Sequence, residues 1–260
     1  MGTFAMVFIL PEDISLTSGS PRYHRNFMDI YLSQFSRTYL NDLIDYQRIL
    51  KQRNALLKSL KEGEKKSGAA ELDAWDRNLI PSALKIMKFR ENFLREIESI
   101  VGETVSRLSG AREKVEVAYR PRIDVGDYDD SSTALDFFRQ FRKRDKRYGT
   151  TVAGPHRDNI EIIMNGKPLR EFGSMGQKKT VMIAMKLSAL EVISAHLRDR
   201  AILVLDEAFA EFDSGRTKSL LNLLSTGGQV FLASADEKEL IHFYDNIRIF
   251  RVSGGTVTEN

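Results

Sequence analysis

A chain of 260 residues, 42% of them hydrophobic, can bury a sizeable core as one large domain or two modest ones. With no cysteine, 29% charged residues and a formal net charge of +3, it excludes disulfides and thiolate metal sites, fits a reducing cytoplasm, and points by charge to no particular partner. No apolar run approaches the ~20 residues that cross a bilayer, so no membrane partner is expected, and Met1 to Met6 lacks both the basic start of a secretory signal and the myristoylation pattern.

In chain order, Val7 to Leu10 reads as a strand, Pro11-Glu12-Asp13 as a turn, and the stretch to Gly19 as a loop. From Pro21 the apolar period becomes four. Phe27, Tyr31, Phe35, Tyr39 and Leu43, continued by Tyr46, Leu50 and Leu57, predict one amphipathic helix of at least about nine turns. Glycine and charge between Lys61 and Gly68 end it. A second stripe runs through Leu72, Trp75, Leu79, Ile86, Phe89, Phe93, Ile97, Ile100 and Leu108. It predicts a partner helix, kinked or interrupted at Pro81, whose ring clashes with the preceding turn. Two such helices form an antiparallel hairpin that buries one face of each, so 22–108 are expected to project from an α/β body.

Past Gly110 the pattern changes. Val115 to Tyr119 alternates as a strand, and Ser132 to Tyr148 is an amphipathic helix with Leu135, Phe138 and Phe141 on one side. Ile160 to Met164 is a strand ending in the type I′ turn Asn165-Gly166. Then come a helix from Met175 to His196, an apolar strand from Ala201 to Leu205, a helix from Ser214 to Leu224 and a strand from Gln229 to Ala233. A short helix from Glu237 to Tyr244 and a strand from Ile247 to Val252, turning at Ser253-Gly254-Gly255 into a last strand, complete the set. Alternating helix and strand predict an α/β fold with a largely parallel sheet.

Five places carry candidate chemistry. Asp206 and Glu207 end a buried strand at its carboxyl end, where open α/β sheets bind ligands. Phosphoryl chemistry explains the pair: Asp206 suits Mg²⁺ held through water, and Glu207 suits positioning the attacking water. The plainer alternative is a solvated strand end. Gly173-Ser174-Met175-Gly176-Gln177 opens a long helix, whose unsatisfied N–H groups form an anion site to which Ser174 adds a hydroxyl; Ser174 is equally well an N-cap. Asp213 is an N-cap candidate for the next helix. Arg139, Arg142, Lys143, Arg144, Lys146 and Arg147 form a basic cluster, either a solvated helix face or a contact for a phosphate backbone. Gly154-Pro155-His156-Arg157-Asp158 is a dense polar loop before a strand.

The Ser174 segment, the Asp206-Glu207 strand and Ala210-Glu211-Phe212-Asp213 look like the signature motif, Walker B strand and D-loop of an ABC-type ATPase. No G-x-x-x-x-G-K-[ST] occurs in the 260 residues. Further stretches extend the likeness: Pro11-Glu12-Asp13 with Gly19-Ser20-Pro21-Arg22 and Arg25 to Asp29, Trp75-Asp76, and Gly149-Thr150-Thr151 with Gly154 to Asp158. In this order they resemble the RecF family, bacterial recombination-mediator ATPases related to the SMC proteins, over nearly the whole chain. The resemblance implies an ABC-ATPase-head-like, parallel-rich sheet with an inserted helical hairpin. By this likeness 1–20 end a first part of lobe I, 21–148 form lobe II, and 149–260 carry the signature helix, Walker B, D-loop and the rest of lobe I.

It also implies a cytoplasmic, ATP- and Mg²⁺-dependent clamp in recombinational repair. Two subunits would sandwich nucleotide, with Ser174, Gly176, Gln177 and Asp213 meeting the partner's ATP across the seam. Implied partners are double-stranded DNA, single-/double-strand junctions, RecR and RecO, with RecA loading as the outcome. Two departures stand out: Glu207 occupies a position where Asp is the family's expectation, and Ser234-Ala235-Asp236 offers neither His nor Thr at the switch position. Lacking the phosphate cradle, the chain is expected either to begin after that segment or to have lost it. The competing readings are a DNA- or partner-binding module without catalysis, and the head of another SMC-like ATPase.

Overall fold

The computed structural model describes residues 4–64, 67–123, 125–207, 209, 212–224, 228–234 and 248–259. Strand β1 (Met6–Ile9) is followed by a 3-10 turn, Pro11–Ile14, and a single helical turn, α1 (Ser15–Ser18), where the sequence suggested a turn and a loop. Pro11 presets the first φ, and Asp13 Oδ2 accepts from the Leu10 N–H at 2.9 Å, so the segment coils locally. The expected nine-turn helix is two helices, α2 (Pro21–Phe35) and α3 (Arg37–Lys61). They part at Ser36, which is extended (φ −120°, ψ 101°) and caps α3 by accepting from the Tyr39 N–H at 3.1 Å.

Helix α4 (Ala69–Ser109) runs 41 residues without interruption, so the exposed Pro81 does not end it. Strand β2 (Val115–Arg120) and helix α5 (Ser131–Tyr148) follow, α5 being capped by Asp130, which accepts from the N–H groups of Ser132 and Thr133. After a 3-10 turn, Pro155–Arg157, come β3 (Asn159–Met164), β4 (Lys167–Pro168), α6 (Leu169–Phe172), α7 (Met175–Leu197), β5 (Ile202–Asp206), α8 (Ser214–Leu224), β6 (Val230–Ala233), β7 (Phe250–Ser253) and β8 (Thr256–Glu259). The expected helix over 237–244 and Ile247 lie outside the described residues.

The central sheet is parallel in the order β1-β5-β6, with Phe8, Val204 and Phe231 in one row across it. One face buries Val7, Ile9, Leu203 and Leu205 in the main core. That core includes α7, buried on all sides from Thr180 to Met185; α7 is long and apolar enough to cross a bilayer, but 61% of its apolar stretch is buried inside the protein. The opposite sheet face stays open, with Phe8 43% and Phe231 51% exposed. The second sheet, β2-β3-β4, is antiparallel, and the turn from β3 to β4 has positive φ at Asn165 (50°) and Gly166 (76°), as the hairpin reading requires. Strands β7 and β8 pair with each other.

Helices α3 and α4 pack as a hairpin with its own small cluster, Leu56, Leu57 and Leu72, at the tip end. A buried polar network ties this hairpin to the body. Arg90, in the middle of α4, donates to Asp29 Oδ1 at 2.7 Å and to the Pro155 carbonyl at 2.6 Å, and lies 3.6 Å from Asp158 Oδ2. Asp158 also accepts from the Arg122 N–H at 2.7 Å and from the Tyr119 hydroxyl. Gly154 closes the loop at φ 126°; a Cβ there would stand 2.7 Å from Tyr46 Oη. Toward the tip, Arg53 donates to Asp76 Oδ1 at 2.6 Å and Thr151 Oγ1 at 2.7 Å, and its Nη2 lies 2.8 Å from Asp145 Oδ2. Burial pushes the Asp145 and Asp158 carboxyls up, while the neighbouring arginines oppose it.

Candidate functional site

Ser174 caps α7. Its Oγ accepts from the Gln177 N–H at 3.2 Å, and Gln177 Oε1 accepts from the Ser174 N–H at 2.9 Å, a reciprocal capping box. A Cβ at Gly173 would stand 2.5 Å from Leu169 Cδ1 and 2.7 Å from its carbonyl oxygen, so glycine lets the chain turn this tightly out of α6. Ser174 is exposed, between Phe172 (67% exposed) and Met175 (54%). The helix therefore presents its amino end, with one hydroxyl, to solvent.

Asp206 ends β5 opposite Ala233 of β6 and is exposed. Glu207 follows at φ 47°, a left-handed conformation that costs a non-glycine residue about 1–3 kcal/mol and is characteristic of functional turns. Its N–H donates to the Ala233 carbonyl at 3.3 Å. Its carbonyl accepts from Lys179 Nζ at 3.5 Å, and the Lys179 ammonium stands 5.6 Å above the Phe212 ring. The first turns of α7 thus reach both the acid-ended strand and the segment after it. No hydrogen bond or ion pair among the described residues joins Ser174 to either acid.

Asp213 caps α8, its Oδ1 accepting from the Arg216 N–H at 2.9 Å. The Arg216 guanidinium then reaches back to the Gly176 carbonyl at 3.1 Å, to Thr180 Oγ1, and to Glu113 Oε1 at 3.0 Å. It clasps α7, α8 and the segment leaving α4 together. Sequence reasoning did not find Arg216, because its partners lie 36, 40 and 103 positions away. Ala210 and Glu211 of the D-loop-like segment, and Ala235 and Asp236 at the switch position, lie outside the described residues.

The basic cluster divides. Arg142 is held inward, donating to Asp76 Oδ2 at 2.7 Å and to Asp73 Oδ1 at 2.5 Å, so it belongs to the hairpin network. Arg139 pairs with Asp136 at 3.2 Å. Lys143, Arg144, Lys146 and Arg147 are exposed along α5 and pair with no carboxylate among the described residues. The apolar side carries Phe138, fully buried, and Phe141, partly buried, so these rings build the core.

No family model matches the chain. It is 34% identical over 261 residues to the DNA replication and repair protein RecF of Lachnospira eligens, covering 100% of this chain and 70% of that protein. It is 35% identical over 263 residues to the RecF of Geobacillus kaustophilus, covering 99% and 70%. Among solved structures, a recombination mediator protein RecF with ATP, of the RecFOR pathway, superposes with a TM-score of 0.85 at 27% identity, covering 100% of this chain and 68% of that one. An Smc head domain from Pyrococcus furiosus, at 12% identity and a TM-score of 0.50 over 98% of this chain and 61% of that one, shares the fold: an α/β, ABC-ATPase-like head.

Proposed function

The chain belongs to the RecF family, and from that membership we propose that it is the signature-and-Walker-B portion of an ATP-dependent DNA-binding protein of replication and recombinational repair. One observation carries the reading most: the amino end of α7, the acid end of β5 and the capped start of α8 converge, joined by Lys179 and Arg216. Ser174, Gly176, Gln177 and Asp213 face a nucleotide held by another subunit. Glu207 orients the attacking water from the left-handed turn that directly follows the strand. Asp206 is the residue that would hold Mg²⁺. A single exposed carboxylate fits that ion, which keeps most of its waters and takes its other ligands from phosphate. When bound, it supplies charge neutralisation at the phosphate oxygens.

The RecF likeness extends the proposal to double-stranded DNA and single-/double-strand junctions, to RecR and RecO as partners, to RecA loading, and to an ATP-dependent homodimer in the cytoplasm. Lys143, Arg144, Lys146 and Arg147 are the α5 residues available to phosphates. The 260 residues hold no glycine-rich cradle with its Lys, so this chain by itself is expected not to bind ATP tightly or hydrolyse it. That absence favours a second reading for the isolated chain, a DNA- and partner-binding module.

The test uses the chain with a cradle segment restored ahead of it. Ser174→Arg abolishes ATP-dependent dimerisation but spares ATP binding by the monomer, because the bulky side chain stands at the seam. Glu207→Gln traps the ATP-bound dimer, because shape and Asp206 remain while the water loses its base. Light scattering with ATP separates the two outcomes. Dimers of Ser174→Arg, or hydrolysis by Glu207→Gln at the parent rate, would withdraw these assignments.

A further inference from the structure

A second cationic surface lies away from α5, around the Gly154–Asp158 loop. Helix α2 begins Pro21-Arg22-Tyr23-His24-Arg25, with no acid in its first turn and no side-chain cap at Ser20. Basic residues at the amino end of a helix sit against the positive end of its dipole. Arg25 Nη1 donates to the Asp158 backbone carbonyl at 3.0 Å and forms no ion pair among the described residues, although the Asp158 and Asp29 carboxylates partly offset its charge. The carboxylate of Asp158 is already engaged by Tyr119, by the Arg122 N–H and by Arg90, and Asp29 is engaged by Arg90 and Tyr39.

Arg157 is adjacent in sequence to Asp158 and exposed; among the described residues its side chain makes one hydrogen bond, to the Thr151 carbonyl at 3.5 Å. Arg170, exposed on α6, completes the group. Helix α6 packs on α1 and β3, the two elements that hold His24 through the Leu16 carbonyl and Asn159. Among the described residues none of Arg25, Arg157 and Arg170 pairs with a carboxylate. Burial first, and then repulsion from Arg90 and Arg157, lowers the pKa of Arg25 from its ordinary value, and Arg170 and Arg25 push in the same direction on His24. By contrast Arg120, on neighbouring β2, is neutralised by Glu161 at 2.5 Å.

We infer that Arg25, Arg157 and Arg170 form a contact surface for the phosphate backbone of duplex DNA, separate from the cations of α5. Three guanidiniums presented by three separate elements suit a run of phosphates rather than one, and the buried Arg90–Asp158 scaffold fixes two of them in place. A contact of this kind carries no base preference. It positions the duplex at the foot of the hairpin, where α2 and the 154–158 loop meet α4. The inference rests on the DNA-binding reading above.

The experiment is fluorescence anisotropy of a labelled 30-base-pair duplex against the 260-residue chain over a series of salt concentrations. Each phosphate contact contributes about 0.9 to the slope of log affinity against log salt, so Arg157→Ala with Arg170→Ala lowers the slope by about 2 and weakens binding several-fold at low salt, equally for unrelated sequences. Both positions are exposed, and a thermal melt matching the parent confirms that the double variant is folded. Arg157→Lys with Arg170→Lys restores the slope, which a purely structural role would not require. Parental slope and affinity in the folded alanine variant, with the parent binding well, overturn this surface and leave the DNA-binding reading standing. A parent chain that fails to bind duplex at low salt overturns both.

Discussion

His156 lies where protonation is disfavoured. Its Nε2 is 2.9 Å from the Thr151 carbonyl, which can only accept, so Nε2 carries the proton and Nδ1 accepts from the Tyr46 hydroxyl at 2.6 Å. Burial, with Arg157, Arg25 and Arg53 nearby, brings its pKa down from 6.5 to about 4, against the opposing Thr151 bond. A lowered histidine pKa means that the unfolded chain binds the proton first. This group's contribution is therefore complete above pH 6.5 and is lost as pH falls toward 4, by up to about 3 kcal/mol. His24 is shifted in the same direction, again chiefly by burial. Urea unfolding at pH 7.0 and 4.5 reads the effect: His156→Gln loses less stability than the parent between the two values. Equal losses in both proteins would show that His156 titrates freely in the fold. Arg216 makes the opposite kind of contribution, since it orders through fixed charge: Arg216→Met leaves Glu113, 7% exposed, without its cation and lowers stability by about 3–5 kcal/mol. Chemical denaturation at neutral pH measures it.

At the scale of elements, most of the fold was legible. The stripes of 27–57 and 72–108 predicted the helical hairpin, and Ser214–Leu224 falls where its pattern put it. The break at Ser36 was not legible, because the stripe from Phe35 to Tyr39 keeps its spacing when two helices pack in sequence on the same core. Ser36-Arg37-Thr38-Tyr39 also lacks the Glu or Gln that would complete a capping box. Of the kink or interruption expected at Pro81, the interruption does not occur: one backbone bond is lost, and burial of Leu79, Ile80, Ala83 and Leu84 around the proline holds the helix. Proline is still a poor helix residue, so Pro81→Ala raises stability by about 1–3 kcal/mol, read as a higher urea midpoint at unchanged m-value. In the candidate site, the caps at Ser174 and Asp213 were visible as local spacing. The clasp of Arg216 and the inward turn of Arg142 depend on residues distant in the chain, and local pattern carries no trace of them.

At the scale of the molecule, the parallel sheet covers one face and leaves the row Phe8–Val204–Phe231 open among the described residues, whereas parallel sheets ordinarily bury both. A groove of about 670 Å³ continues the open face, lined by Phe4, Met6, Phe8, Ile30 and Leu40. Such a surface is adhesive. The isolated chain should bind a hydrophobic dye and associate as concentration rises, and Phe8→Ser with Phe231→Ser should reduce both, by fluorescence titration and sedimentation velocity. Dye binding equal to the parent's would place the exposed apolar surface elsewhere. The long helix α4 adds a mechanical property. Its 41 residues make a stiff rod of about 60 Å. Arg90 pins it near the midpoint to Asp29 and Pro155, and the chain leaving its far end reaches the Arg216 clasp through Glu113. Beyond Arg90 the rod is clamped, because Phe93, Ile97, Val101, Val105 and Leu108 bury it in the core it shares with α7 and β2. It is therefore a cantilever: sideways load on the hairpin tip becomes a bending moment that is greatest where the rod enters the body, at the Arg90 contacts.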